Sequence, residues 1–246
     1  HVGKVLAVLA KDMGVEVLLT KDASLVNAEN LKKYKLVIFY TSADLTLEGT
    51  DKQPPMGPNG QAELLEWIRD GGGFIGYHCA SDSFRTPEGG EVTPYVKMIG
   101  GEFRVHHNQF TGTVRVIDTA HPAMAHVPAE WNILDEWYLF KNLNAETMHV
   151  LAVLDSGAER QVQEPYNIPN YPIIWCSEYG KGRVYYNAMG HREDVWDNPD
   201  FQKSVVDAAH WALGHGPAGA EPNLGKIISG EDLAKVQTPL PANEKK

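Results

Sequence analysis

The sequence predicts a single α/β domain in which helices cover both faces of a mixed, mainly parallel sheet, giving a three-layer sandwich. Residues 36–40, Leu-Val-Ile-Phe-Tyr, form a short apolar run that is typical of a parallel strand buried on both faces. Segments with helical spacing of apolar residues alternate with further apolar runs in the first half of the chain. A later pair of apolar runs with a glycine-containing loop between them predicts an antiparallel hairpin, which makes the sheet mixed.

The first 70 residues predict two helices and two strands. Residues 1–13 place apolar side chains at the i, i+3, i+4, i+7 spacing of one helix face. Residues 15–19 are predicted to form a short strand, and residues 36–40 a central parallel one. The segment 49–60 is rich in proline and glycine and predicts a loop, after which Asn59 is expected to cap a helix running to residue 70.

The rest of the chain predicts more strands and one closing helix. Residues 71–78 are a glycine-rich turn that leads into a buried strand. Asn198, with proline at the next position, predicts the start of a last helix that ends at Gly214. Residues 215–246 lack a long apolar period and are predicted to be a tail that lies on the surface or is loose. Further strands are predicted at residues 111–117, 133–140, 149–154 and in the two strands of the hairpin, 173–177 and 184–188.

Composition excludes several classes of protein. A chain of 246 residues with 43% hydrophobic and 22% charged residues can bury one large core. The formal net charge of -10 argues against a nucleic-acid partner, because phosphate binding needs a basic face. No apolar run approaches the roughly 18 residues of a membrane span, so no membrane partner is predicted. The two cysteines, Cys79 and Cys176, are interpreted as buried free thiols.

Two properties are left open by the sequence. It begins at His1 rather than at methionine, so an upstream segment is expected, and both the bacterial cytoplasm and the periplasm or exterior agree with it. A homo-oligomer is also compatible with this composition.

The most specific local feature is the run Gly-Tyr-His-Cys-Ala-Ser-Asp at residues 76–82, where a predicted buried strand ends among small residues. Small residues on both sides of a central side chain are typical of a nucleophile elbow. The central residue here is His78, with Cys79 one position later. A histidine at the carboxyl end of a strand can act as a base, a metal ligand or a hydrogen-bond donor to a substrate.

Other histidines and carboxylates follow predicted strands or glycine pairs. His191 lies just beyond the strand predicted at 184–188, and two adjacent carboxylates at 135–136 stand among aromatic residues. Because parallel strands end on the same side of a sheet, His78 and His191 are expected to face one cleft. Such a cleft suits a polar, ring-shaped ligand such as a sugar, and it can also hold a metal ion assembled from distant segments. The other residues noted are His106, His107 and the His121-Pro122 pair.

These residues give the sequence its resemblance to the ThuA-like (trehalose utilisation) family over about residues 1–214. The matching runs are Gly-Gly-Gly-Phe-Ile-Gly-Tyr-His-Cys-Ala-Ser-Asp (71–82), Ile-Gly-Gly-Glu-Phe-Arg-Val-His (99–106), His-Pro (121–122), Asp-Glu-Trp-Tyr (135–138) and the segment 179–196. The resemblance implies a flavodoxin-like fold similar to that of the class I glutamine amidotransferases. It also implies a link to trehalose and related disaccharides, with action on 3-keto sugars that a partner dehydrogenase makes.

The resemblance also defines domain limits. Residues 1–214 are expected to form the ThuA-like domain and residues 215–246 a C-terminal tail. Family members begin with a strand and a Gly-Phe-x-His-type turn before the first helix, whereas this sequence starts within that helix.

The sequence leaves three functions open. In the first, a sugar isomerase or hydrolase uses acid–base chemistry, with a divalent metal, zinc or manganese, as an optional cofactor. The second is an amidase or glutamine amidotransferase-like hydrolase with Cys79 as nucleophile. The third is a sugar-binding module without catalysis. For the sugar isomerase or hydrolase, the predicted catalytic residues are His78, Glu136 and His191. The predicted substrate-binding residues are His106, Tyr138, Asp82 and Trp196. The candidate metal ligands are His78, His106 and His191.

Overall fold

The structure is a computed structural model that describes residues 1–49 and 51–238. Seven strands form the main sheet in the order β1-β2-β9-β8-β7-β4-β5, and β3 and β6 form a separate antiparallel pair. The strands are β1 (Leu36–Phe39), β2 (Gly73–Tyr77), β3 (Glu102–Val105), β4 (Phe110–Val116), β5 (Glu130–Asp135), β6 (Leu139–Lys141), β7 (His149–Asp155), β8 (Tyr171–Tyr179) and β9 (Gly182–Asn187).

Five of the seven strands in the main sheet point in the same direction. The neighbours β1, β2 and β9 are parallel, whereas β9–β8, β8–β7, β7–β4 and β4–β5 are antiparallel pairs. It follows that β7 and β5 run with β1, β2 and β9, and only β8 and β4 run against them. The predicted mixed α/β sheet and the hairpin of β8 and β9 are confirmed.

Helices lie on both faces of this sheet. They are α1 (Val2–Asp12), α2 (Ala28–Leu31), α3 (Gly60–Arg69), α4 (Pro94–Ile99), α5 (Glu159–Val162), α6 (Glu193–Trp196), α7 (Pro199–Ala212), α8 (Leu224–Ile227) and α9 (Gly230–Gln237). Within the described ranges, none of these helices has the length and apolar character that a bilayer crossing requires.

Strand β2 shows how the three layers form. Successive side chains of a strand point to opposite faces, and Phe74 packs edge-on against Tyr95 of α4, with ring centroids 6.1 Å apart. Tyr77 lies on the other face and contacts Phe201 of α7 at 6.0 Å. Every residue of β2 is buried, so its unbroken apolar sequence follows from having a helix on each side.

Helix α7 begins where the sequence predicts. Asn198 is its N-cap, and the side-chain oxygen accepts hydrogen bonds from the backbone N–H groups of Asp200 (2.9 Å) and Phe201 (3.2 Å). Asn59 also stands at the N-cap of α3, but its side chain makes no capping hydrogen bond there.

Three predictions of local structure are wrong. Residues 15–19 form no strand, and all five are exposed, because β1 pairs only with β2 and provides no ladder for them. Strand β1 accordingly lies at an edge rather than at the centre of the sheet. The single strand predicted at 133–140 is two strands, since β5 pairs with β4 whereas β6 leaves the main sheet to pair with β3.

The segment after Gly214 packs on the domain more closely than a loose tail would. The side chain of Asn223 accepts a hydrogen bond from the Val150 N–H (2.6 Å) and donates one to the Val150 carbonyl (3.1 Å). Leu224 in α8 and Val236 in α9 are fully buried. Residues 239–246 of the predicted tail lie outside the described part of the chain.

We expect Leu224→Ala to lower the free energy of unfolding by about 2–5 kcal/mol, because it removes a fully buried side chain and leaves a cavity. Urea denaturation measures this. Lys226→Ala, at an exposed position of the same short helix, is the control and should change the free energy by less than about 0.5 kcal/mol. Equal effects of the two substitutions would show that the segment does not belong to the folded core.

Candidate active site

The chain turns sharply at His78, directly after β2. This residue has φ of 42°, in the left-handed region that costs a non-glycine residue about 1–3 kcal/mol. The turn leads into a short 3₁₀ helix, His78–Asp82. Glycine is needed at position 76, because a Cβ there would lie 2.9 Å from Ile99 and 3.0 Å from Ala80. The backbone is therefore that of an elbow, with an imidazole as the central side chain.

The hydrogen bonds of His78 define its tautomer. Its Nδ1 lies 2.8 Å from the carbonyl oxygen of Ala188. A carbonyl only accepts, so Nδ1 carries the hydrogen and Nε2 of the neutral ring has a free lone pair. This Nε2 is buried and has no hydrogen-bond partner among the residues that the structure describes.

Three imidazoles converge on the carboxylate of Glu136, which is only 8% exposed. His78 Nε2 lies 3.3 Å from Oε2, and His191 Nδ1 lies 3.3 Å from the same oxygen. His106 Nδ1 lies 3.2 Å from the other oxygen, Oε1. The ligand atoms of His78, Glu136 and His191 all lie within 4.8 Å of one another. The structure thus brings together four residues that come from four separate segments.

Two opposing effects act on the pKa of Glu136. Burial raises it, but the contacts with His78, His106 and His191, which stabilise the carboxylate whenever these rings are protonated, outweigh burial, and the pKa is lowered. Glu136 is consequently a carboxylate at neutral pH, which is the form that can bind a cation or orient an imidazole.

The neighbouring Asp135 fixes the turn that precedes His191. Its Oδ2 accepts a hydrogen bond from the Gly190 N–H (2.6 Å), and its Oδ1 accepts from the N–H groups of Glu136 (2.9 Å) and Arg192 (3.3 Å). Burial raises the pKa of Asp135, and these N–H donors partly offset the rise. Asp135 therefore links the end of β5 to the segment after β9, although three strands separate them in the sheet.

The Gly190 peptide is held from its carbonyl side as well. Its oxygen accepts hydrogen bonds from the Tyr40 hydroxyl and the Trp196 indole N–H, both at 2.8 Å. Gly190 has φ of 110°, and a Cβ there would lie 3.0 Å from the indole nitrogen of Trp196. Only glycine fits this turn without strain, and the turn sets the position of His191.

Aromatic rings form one wall of the cluster. The centroid of the Tyr138 ring lies 4.0 Å from that of His78, 4.2 Å from that of Phe103 and 5.8 Å from that of His106, on which Tyr138 stacks. Burial and the negative charge of Glu136 raise the pKa of Tyr138 well above its usual range. Its hydroxyl therefore stays protonated and available as a donor.

The sequence model of the ThuA family, described as trehalose utilisation, matches residues 1–212. The chain belongs to the ThuA family. A ThuA-like protein from Bacteroides uniformis has a similar structure, with a TM-score of 0.66, 21% identity and coverage of 89% of this chain and 85% of that one. A ThuA-like protein from Parabacteroides merdae gives 0.62, 17%, 86% and 84%. These structures share the fold, and no curated protein matches the sequence.

Two further predicted site residues of this ThuA family member, Trp196 and Asp82, do not contact the Glu136 carboxylate among the described residues. Trp196 is fully buried, packs on Tyr40 and Phe201, and supports the Gly190 turn. Its contact with substrate stays a prediction. Asp82 forms an ion pair with Arg85 at 3.3 Å. His121 lies away from the cluster and hydrogen-bonds to the carbonyl of Ala218 at 3.1 Å.

Sequence reasoning missed Tyr40, Phe103 and the anchoring role of Asp135. Tyr40 directly follows β1, and the rule that points to His78 and His191 at strand ends also points to it. In the sequence, Asp135 stands out only as the neighbour of Glu136. A buried carboxylate at a strand end needs donors, and this signal could have identified it as an anchor. Phe103 gives no such signal, because it is one apolar residue in a strand.

A cavity of about 460 Å³ lies at the opposite end of the parallel strands, near residues that precede β1 and β2. Lys32, Lys35, Glu63 and Trp67 line part of it, and no imidazole does. The candidate active site is therefore identified by the convergence of its functional groups and not by this cavity.

Burial raises the pKa of Cys79 to about 12. We expect this thiol to react with iodoacetamide at pH 7.5 on the order of 10³-fold more slowly than a free cysteine, because it forms far less thiolate. Peptide mass mapping separates Cys79 from Cys176, and the same protein in urea should react at both positions at the usual rate. If Cys79 of the folded protein reacted at nearly the rate of free cysteine, the raised pKa of this thiol would be contradicted.

Proposed function

We propose that this ThuA family member is a carbohydrate-processing enzyme of trehalose or disaccharide utilisation that acts on a keto sugar by proton transfer next to the ketone. The description of the family supports the pathway. The cluster of Glu136, His78, His106 and His191 supports the chemistry, because such a transfer needs a base and a group that stabilises the enediolate oxygen.

The observation on which this proposal mainly rests is the unpartnered Nε2 of His78. Its lone pair is buried beside the Oε2 of Glu136 and the Nδ1 of His191. Two imidazoles and one carboxylate form a ligand set used by catalytic zinc, with a further coordination position left for substrate. The hydrogen bond from His78 Nδ1 to the Ala188 carbonyl fixes the ring, and metal-binding histidines usually make such a bond with the nitrogen that does not bind the metal.

The chain's residues therefore fit a divalent cation, zinc or manganese, held by His78, Glu136 and His191. A bound cation would polarise the ketone of the substrate as a Lewis acid. His106 faces the other oxygen of Glu136, so the proposed metal ligands are two of the three histidines that the sequence indicated, together with Glu136.

Isomerisation and hydrolysis of a keto sugar can begin with the same step. Both remove the hydrogen from the carbon that lies between the ketone and the glycosidic carbon. Reprotonation at the former carbonyl carbon moves the ketone, whereas expulsion of the glycosidic oxygen and addition of water cleave the disaccharide. The proposed site supplies this first step in either case.

The geometry does not favour Cys79 as the nucleophile of an amidase. His78 occupies the central position of the elbow, and the pKa of Cys79, about 12, leaves the thiol protonated at neutral pH. A sugar-binding module without catalysis is the other alternative, and it would bind a disaccharide without forming product.

We expect the purified protein to bind about one equivalent of zinc or manganese and to consume a 3-ketodisaccharide. His78→Ala should abolish stoichiometric metal binding, because it removes a buried ligand. Glu136→Gln should lower turnover by about 10²-fold or more, because it removes the carboxylate that the three imidazoles share. Elemental analysis and chromatography of the sugar products measure the two effects.

His215→Ala is the control for these variants. His210 and His215 lie on the surface with their Nδ1 atoms 3.0 Å apart, and such a pair could bind metal adventitiously. The variant should keep both the metal and the activity. Unchanged turnover in His78→Ala and Glu136→Gln would refute the proposal, and sugar binding without product would favour the binding module.

A further inference from the structure

The two oxygens of the Glu136 carboxylate have different neighbours. Oε2 faces His78 Nε2 and His191 Nδ1, the atoms assigned to the cation. Oε1 faces only one imidazole of the cluster, that of His106, at 3.2 Å. The carboxylate thus separates the cluster into a pair of histidines on one oxygen and a single histidine on the other.

The contacts of His106 determine which ring nitrogen is free. Its Nδ1 lies 3.2 Å from Glu136 Oε1 and 3.2 Å from the carbonyl oxygen of His107. Both neighbours are acceptors, so Nδ1 carries the hydrogen and the lone pair of the neutral ring is on Nε2. Nε2 makes no hydrogen bond within the described residues, and the side chain is 42% exposed.

Aromatic contacts hold the ring plane of His106. Tyr138 stacks on it with an interplanar angle of 20°, and Phe103 lies 5.9 Å away. A carboxylate that binds one ring nitrogen and so orients the other is the arrangement by which acid–base histidines are positioned in enzymes.

We propose that His106, with Glu136 Oε1 as its positioning partner, is the base that removes the proton next to the ketone. This inference rests on the proposed function and changes the role of His106 from substrate binding to proton transfer. His78 is 2% exposed, and its Nε2 is assigned to the cation. His191 shares Oε2 with His78, which leaves His106 as the histidine of the cluster that is outside the cation set.

The proton transfer balances without an oxidant or a reductant. Nε2 takes the hydrogen from the carbon that bears a hydroxyl beside the ketone, and the C–H electron pair forms the C=C bond of an enediolate. The carbonyl electron pair moves onto its oxygen. Return of the proton from Nε2 to the former carbonyl carbon, with the remaining hydroxyl proton passing to the other oxygen, moves the ketone by one carbon.

The test compares the unaltered, metal-loaded protein with His106→Ala and His106→Gln. A 3-ketodisaccharide is incubated in D₂O, and mass spectrometry measures deuterium at the carbon next to the ketone. Both variants should keep about one equivalent of metal and lose exchange by about 10²–10⁴-fold. Added imidazole should restore part of the exchange in His106→Ala, because the side chain it replaces is partly exposed.

His107→Gln is the matched control, because it alters the adjacent histidine, whose Nε2 is buried outside the Glu136 cluster. It should keep exchange within about threefold of the unaltered protein. Two results would overturn the assignment of His106 and leave the proposed function standing. One is exchange by a folded His106→Ala variant at the rate of the unaltered protein, and the other is loss of metal together with exchange in both variants. Absence of exchange by the metal-loaded, unaltered protein would overturn both.

Discussion

The arrangement of this site depends on a nearly buried carboxylate, that of Glu136. A carboxylate removed from water is costly unless positive or hydrogen-bonding groups surround it. Here three imidazoles lie 3.2–3.3 Å from its oxygens and come from segments far apart in the sequence. His106 presents its Nδ1–H to Oε1, and the cation proposed between His78 and His191 would neutralise Oε2. Each imidazole in turn needs a fixed backbone. His78 has it through a left-handed turn after β2, and His191 through the Gly190 peptide that Asp135 anchors.

The sheet makes this convergence possible because its far edge approaches its parallel half. Three strands lie between β5 and β9 in the sheet order, yet Asp135 at the end of β5 hydrogen-bonds to Gly190 after β9. The chain then passes through Glu136 and Tyr138 into β6, which pairs with β3 just before His106. One short segment therefore supplies the central carboxylate, its anchor and the aromatic wall.

Much of the fold and part of the site could be predicted from the sequence. The β8–β9 hairpin and the cap at Asn198 depend on local patterns, and His78 and His191 follow from the position of strand ends. Residues 15–19 were misassigned because a strand pattern indicates a propensity to pair, whereas pairing needs a neighbour. The structural role of Trp196 could not be predicted, because an indole suits both a sugar platform and a core position with a buried N–H donor. The two oxygens of Glu136 face different imidazoles because of tertiary contacts, which the spacing of residues along the sequence does not encode.

The proposed function requires that His78, His191 and Glu136 form one cation site beside an imidazole, that of His106, which stays outside it. Crystals soaked in zinc or manganese, with diffraction data collected on both sides of the metal absorption edge, test this most directly. We expect one strong anomalous peak within about 2.0–2.2 Å of His78 Nε2, His191 Nδ1 and a Glu136 oxygen, with His106 still on the other oxygen. A peak that includes His106 as a ligand, or no peak at this cluster with saturating metal, would contradict it.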